Sequence, residues 1–168
     1  MGWFEGFRLI MAVNPSGVIT GFAFSEASVK EQLLGEDFLL LRRFPHPRTL
    51  SVGMPAFGVY VVDSGFEGKE NHKRWYESYG AKVICKPRST SGNAWPKHLR
   101  RWFAGIRQIV ETVYEKLINW FNLGRDRPHD MSGFHAHLAA KMALHNFCIW
   151  LNLQLGRARL AFANLVDW

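Results

Sequence analysis

The sequence predicts an α/β fold, and three observations carry that reading. Two short apolar runs joined by Asn14-Pro15-Ser16-Gly17 make a β-hairpin over residues 7–24. A strand–helix–strand pattern spans residues 58–86. Two long helical patterns follow, at residues 96–122 and 132–155. A length of 168 residues is enough to bury a sizeable core, and one domain is the expectation.

In chain order, the hairpin runs are Phe7 to Val13 and Val18 to Phe24. Proline at the second turn position and glycine at the fourth suit a type I turn. Both runs are apolar on both faces, which suits a covered sheet. Ser28 caps a short helix that reaches Leu34, with Gly35 ending it. Pro45, Pro47 and Pro55 make residues 44–57 a loop.

Val59 to Val62 is a short buried strand, followed by the glycines of the Asp63 turn. Lys69 to Tyr79 reads as an exposed helix ended by Gly80, and Ala81 to Cys85 as a strand stopped by Pro87. Parallel pairing of these two strands places both of their ends on one side of the sheet. Residues 88–94 are a flexible loop. Pro96 begins the longest helix, reaching Asn122. Its apolar positions recur at the helical period, with Arg107, Glu111 and Glu115 on the other face. Residues 124–130 are a polar turn. The last helix is nearly encircled by apolar residues, so burial is expected.

Composition narrows the class. An apolar fraction of 48% with 14% aromatic residues excludes a disordered or collagen-like chain. Against 14 acidic residues stand 21 Lys and Arg, a net charge of +7 and a pI near 9.7. Such a surplus suits an anionic polymer, because each neutralised phosphate releases counterions, although the same charge also serves plain solubility. Cys85 and Cys148 lie in apolar stretches without paired spacing, so reduced, buried thiols and a cytoplasmic location are expected. Glu5 and Arg8 interrupt the first apolar residues, which fits no signal peptide. The run from Met142 to Gly156 lacks acidic and basic residues but holds His145, Asn146 and Asn152. It reads as a core helix rather than a membrane span.

Two acids are candidates for chemistry. Asp63 closes the run Gly58-Val-Tyr-Val-Val62 and opens Asp63-Ser-Gly-Phe-Glu-Gly68. Glu111 lies four residues after Arg107 on the long helix. Each has a local explanation: Asp63 as a turn former or helix cap, Glu111 as the partner of Arg107 in an exposed ion pair worth about 0.3–0.5 kcal/mol. Their joint placement is more specific. A carboxylate at a strand end and another on the helix after it can share divalent metal ions, the raw material of phosphodiester chemistry.

These motifs resemble the DDE transposases of bacterial insertion sequences, whose catalytic domain is RNase H-like. The hairpin from Phe7 to Phe22 is similar to the family's "GFKLHLLVN…G.I..F" segment. Val62-Asp63-Ser-Gly-Phe66 resembles its second-aspartate motif, and Arg107-Gln-Ile-Val-Glu111 its Arg-x-x-x-Glu helix. The stretch from Phe134 to Asn152 resembles the closing "F…L….A..N" helix. The resemblance covers nearly the whole chain and implies an RNase H-like mixed sheet flanked by helices.

It further implies that Asp63 and Glu111 are the second and third metal-binding carboxylates, and that Arg107 binds DNA or orients Glu111. Two Mg²⁺ or Mn²⁺ ions, roughly 3.5–4 Å apart, would activate a nucleophilic oxygen and stabilise the leaving oxygen. Water as nucleophile gives DNA cleavage, and a DNA 3′-hydroxyl gives strand transfer. The partners would be transposon ends and target DNA, with a homodimer in the full-length protein and no membrane. The gap between Asp63 and Glu111 leaves no room for the large inserted domain of some relatives.

The pattern also departs from the family. Ala104 and Ile118 stand where the longer helix signature has Tyr and Lys, with Lys116 nearby but half a turn away. The family's first aspartate sits on a strand some tens of residues before the hairpin, central in the sheet. Here no Asp precedes Asp37, and Glu5 is too close to the hairpin. The expectation is an N-terminally truncated domain without that central strand, inactive in isolation and with two unpaired strand edges.

A non-catalytic DNA-binding or oligomerising remnant is the alternative. An unrelated metal nuclease would need a complete carboxylate set, which is not found. Lys97, Arg100 and Arg101, or Arg42, Arg43 and Arg48, are candidate phosphate contacts, along with Lys116, against the default of solvated charge. His135 and His137, two apart on a helix, face different ways. His137 and His145 are expected as polar helix positions. Trp3, Trp95, Trp102, Trp120 and Trp150 are expected in the core rather than stacking on bases.

Overall fold

The computed structural model describes residues 6–44, 55–87, 95–125, 130–163 and 165. The expected loop at 88–94, most of that at 44–57, part of the turn at 124–130, Trp3 and Arg48 lie outside these residues. The elements in order are β1 (Phe7–Val13), β2 (Ile19–Glu26), α1 (Glu31–Arg43), β3 (Gly58–Val62), a 3-10 turn (Ser64–Phe66), α2 (Lys69–Tyr79), β4 (Ala81–Cys85), α3 (Lys97–Asn119) and α4 (Met131–Gln154). The fold is mixed α/β. Its strands form two separate pairs among the described residues, β1–β2 and β3–β4, rather than one continuous mixed sheet.

The β1–β2 connection is a tight turn. Gly17 N–H donates to Asn14 O at 2.9 Å, and the Asn14 side chain accepts from Ser16 N–H and Val18 N–H. Gly17 has φ 83°, a left-handed conformation open to glycine at little cost. Backbone bonds from Asn14 to Val18 and from Ala27 to Gly6 mark the two ends of an antiparallel hairpin. β3 and β4 pair in parallel, with Gly58 opposite Ala81 and Val62 opposite Cys85.

The chain divides into two compact units, Met1–Ala12 with Thr20–Ala104, and Val13–Ile19 with Gly105–Trp168. In the first, one apolar cluster draws on both strand pairs and two helices. Ala23, Leu34, Phe38, Leu39, Ala56, Trp75 and Ala81 are buried, and Ile10, Tyr60, Phe66 and Val83 pack against them. Glu36 and Arg74 join α1 to α2 by a two-pronged ion pair. α2 ends on Gly80 (φ 67°), whose N–H reaches Trp75 O and Tyr76 O, a left-handed glycine cap.

α1 departs from expectation. It starts after Lys30 with no side-chain cap, and it runs through Gly35 to Arg43. A Cβ on Gly35 would meet the Phe66 ring at 3.0 Å and Trp75 at 3.5 Å, so glycine here admits two aromatic rings instead of stopping a helix. Arg42 is also not a surface phosphate contact. It is buried over the Phe38 ring at 5.1 Å, with Nη1 3.4 Å from Thr20 Oγ1. Arg43 donates to Ser78 O.

In the second unit, Asp130 caps α4 by accepting from Gly133 N–H at 2.5 Å. Val113, Leu117, Phe121, Leu138, Met142, Cys148, Ile149 and Phe162 are buried. Asn146 binds both backbone groups of Ile19, accepting from its N–H at 2.9 Å and donating to its C=O at 2.8 Å. Asn152 donates to Arg159 O and Ala161 O, tying the segment after α4 to the helix.

His145 is not a polar surface position. It is fully buried, edge-on to Phe121 and Phe162, with no hydrogen-bond partner at Nε2 among the described residues. α4 is also less enclosed than its composition suggests, since Leu144, Phe147, Trp150 and Leu153 are exposed. Trp102 is likewise exposed rather than in the core.

Candidate active site

Asp63 is the first residue after β3, and its strand partner β4 runs parallel, so the ends of both strands lie together. There its carboxylate caps the 3-10 turn, accepting from Ser64 N–H at 2.8 Å. Its backbone carbonyl accepts from Phe66 N–H at 3.1 Å and from the Cys85 thiol at 3.2 Å. Cys85, expected to be buried, is only half-buried, while Cys148 is buried, and both are free thiols.

The glycine of the Asp63 motif has a physical reason. A Cβ on Gly65 would fall 1.5 Å from Glu31 Oε2, so the bare backbone lets the first residue of α1 lie against the turn. Phe66, the motif's aromatic residue, is anchored on Gly35 in the unit's core. Sequence reasoning gave no role to Glu31 and read Gly35 as a helix end, not as a contact of this turn. Only their long-range contacts reveal one.

Glu111 stands exposed on α3, and Arg107 Nη2 donates to its Oε1 at 3.2 Å. Both local explanations are therefore realised: Asp63 caps a turn and Glu111 pairs with Arg107. Neither interaction excludes metal binding, since a carboxylate has about four acceptor positions. Asp63 belongs to the first unit and Glu111 to the second. Arg100 and Arg101 are exposed near the start of α3. Lys116 is half-buried, its ammonium 5.7 Å from the centre of the Trp120 ring. Ile118, at the position where the helix signature has Lys, is an exposed apolar residue.

Hard carboxylate oxygens are the donors that Mg²⁺ and Mn²⁺ prefer, so Asp63 and Glu111 fit such ions in kind. They fall short in number. Among the described residues no group of three or more His, Cys, Asp or Glu side chains could hold a metal ion. Among the same residues no helix is long and apolar enough to cross a membrane.

The family model described as "Transposase DDE domain" matches residues 2–147. No curated protein and no solved structure matches the chain. The match takes in the hairpin, the Asp63 turn, the Arg107–Glu111 helix and most of α4. Members of this family are transposases, which act on DNA and generally use divalent metal ions. The chain belongs to the DDE transposase domain family.

Proposed function

We propose that this domain serves metal-dependent DNA cleavage and strand transfer at insertion-sequence ends, with Asp63 and Glu111 as two of its metal-binding carboxylates. The observation that carries the reading is the position of Asp63. It follows a strand paired in parallel, where strand ends converge, in a chain of the transposase family. When bound there, Mg²⁺ or Mn²⁺ would supply charge stabilisation for an in-line displacement at phosphorus.

The chain's own residues do the positioning. Asp63 and Glu111 present oxygen donors, and Arg107 holds the Glu111 carboxylate in one orientation. Arg100, Arg101 and Lys116 neutralise DNA phosphates. The domain works as a homodimer on transposon ends and target DNA, in the cytoplasm. Residues 1–168 supply two carboxylates where the family's chemistry uses three, so by themselves they do not cleave. Purified chain incubated with supercoiled plasmid and Mn²⁺ should leave it intact. Nicking that disappears in Asp63→Ala would overturn the inactivity.

The net charge of +7 and the absence of a three-acid cluster among the described residues favour a second reading, a non-catalytic DNA-binding or oligomerising module. It predicts DNA affinity that falls steeply with salt and ignores substitution of Asp63 or Glu111.

A further inference from the structure

The Asp63 turn is tied down from three other elements. Cys85 at the end of β4 donates its thiol proton to Asp63 O at 3.2 Å. His72 on α2 places Nε2 2.7 Å from Phe66 O. That bond requires the tautomer with hydrogen on Nε2. Gln32 on α1 donates to Glu67 O at 3.2 Å. The local bonds of the turn, Phe66 N–H to Asp63 O and Glu67 N–H to Ser64 O, already close it. The three side-chain bonds therefore do something further: they fix the turn relative to β4, α2 and α1.

We propose that Cys85, His72 and Gln32 are positioning residues that clamp the Asp63 turn and so aim the Asp63 carboxylate. The clamp acts through backbone. A thiol on the Asp63 carbonyl restrains the peptide that follows Asp63, and bonds to Phe66 O and Glu67 O hold the far side of the turn. With both sides held, the Cα–Cβ bond of Asp63 keeps one direction. A metal ligand needs this, since a donor must stay within about 0.5 Å of its productive position. None of the three residues lies in the segment from Val62 to Phe66 that marks the motif. The inference rests on the reading of Asp63 as a metal ligand.

The test is Mn²⁺ titration of the full chain, followed by paramagnetic broadening of the Ser64 and Gly65 amide signals. The parent should broaden and Asp63→Ala should not. Cys85→Ala and His72→Ala should need about tenfold more Mn²⁺ for the same broadening, the usual scale for outer partners of a metal ligand. Cys85→Ser and His72→Gln, which keep a donor, should stay near the parent. If an alanine variant does not fold, methylthiolation of the parent gives the same comparison. Cys148 is 4% exposed, so the reagent takes Cys85, and the modified chain should also need about tenfold more Mn²⁺. Parent-like titration of the alanine variants, or of the methylthiolated chain, overturns the clamp alone. Broadening that persists in Asp63→Ala, or is absent from the parent, overturns the metal reading itself.

Discussion

Asn146 does for Ile19 what a neighbouring strand would do. Its side-chain amide satisfies both the N–H and the C=O of a residue that is 1% exposed. Removing that amide strands two backbone groups at a site water hardly reaches. Asn146→Ala should therefore cost about 2 kcal/mol of stability, read from urea denaturation. His145 makes a second case, through its charge. Burial lowers its pKa from the ordinary 6.5, although a weak bond to Asn146 pulls the other way. As pH falls below that ordinary value, the unfolded chain takes up the proton before the folded one does. Stability is thus full above about pH 6.5 and declines on acidification towards the lower folded value. The unfolding midpoint should drop across this range in the parent, and His145→Leu should flatten the dependence. Neither residue was legible in sequence, because a polar side chain on a helix gives no sign of a partner far along the chain. The turn cap of Asp63 and the ion pair of Glu111 were legible because their surroundings are local: an apolar run before one and Arg107 four residues before the other.

At the scale of elements, α1 shows where local rules give way to packing. Glycine after an amphipathic turn normally signals a helix end. Here Gly35 lies mid-helix because Phe66 and Trp75 occupy the space of a side chain. Gly35→Ala would gain about 1 kcal/mol of helix propensity. It would also press a methyl into a ring at 3.0 Å, and such overpacking costs about 1–3 kcal/mol. A net loss of stability is expected, larger for Gly35→Val, and thermal unfolding of the two variants would measure it. α3 was readable from the period of its apolar positions. The exposure of Phe147 and Trp150 on α4, whose tilted rings have centres 5.5 Å apart, was not, because a helix apolar all round looks buried in sequence.

At the scale of the whole molecule, the chain is a transposase domain in which two strand pairs share one apolar cluster without sharing a backbone ladder among the described residues. The α/β class followed from the βαβ pattern, and the two separate strand pairs among the described residues agree with the expectation of unpaired strand edges where a central strand is lacking. Basic charge and family membership point to DNA, and the proposed metal site rests on Asp63 and Glu111. The proposal that Asp63 and Glu111 serve one metal centre can be tested without any DNA. Ferrous ion bound in place of Mg²⁺, with ascorbate and peroxide, cuts polypeptide beside its ligands. If one metal centre uses both acids, the fragments end in two places, next to Asp63 and next to Glu111, and Asp63→Ala removes both sets. Cuts beside only one of the two residues, or cuts that survive Asp63→Ala, would contradict a common centre.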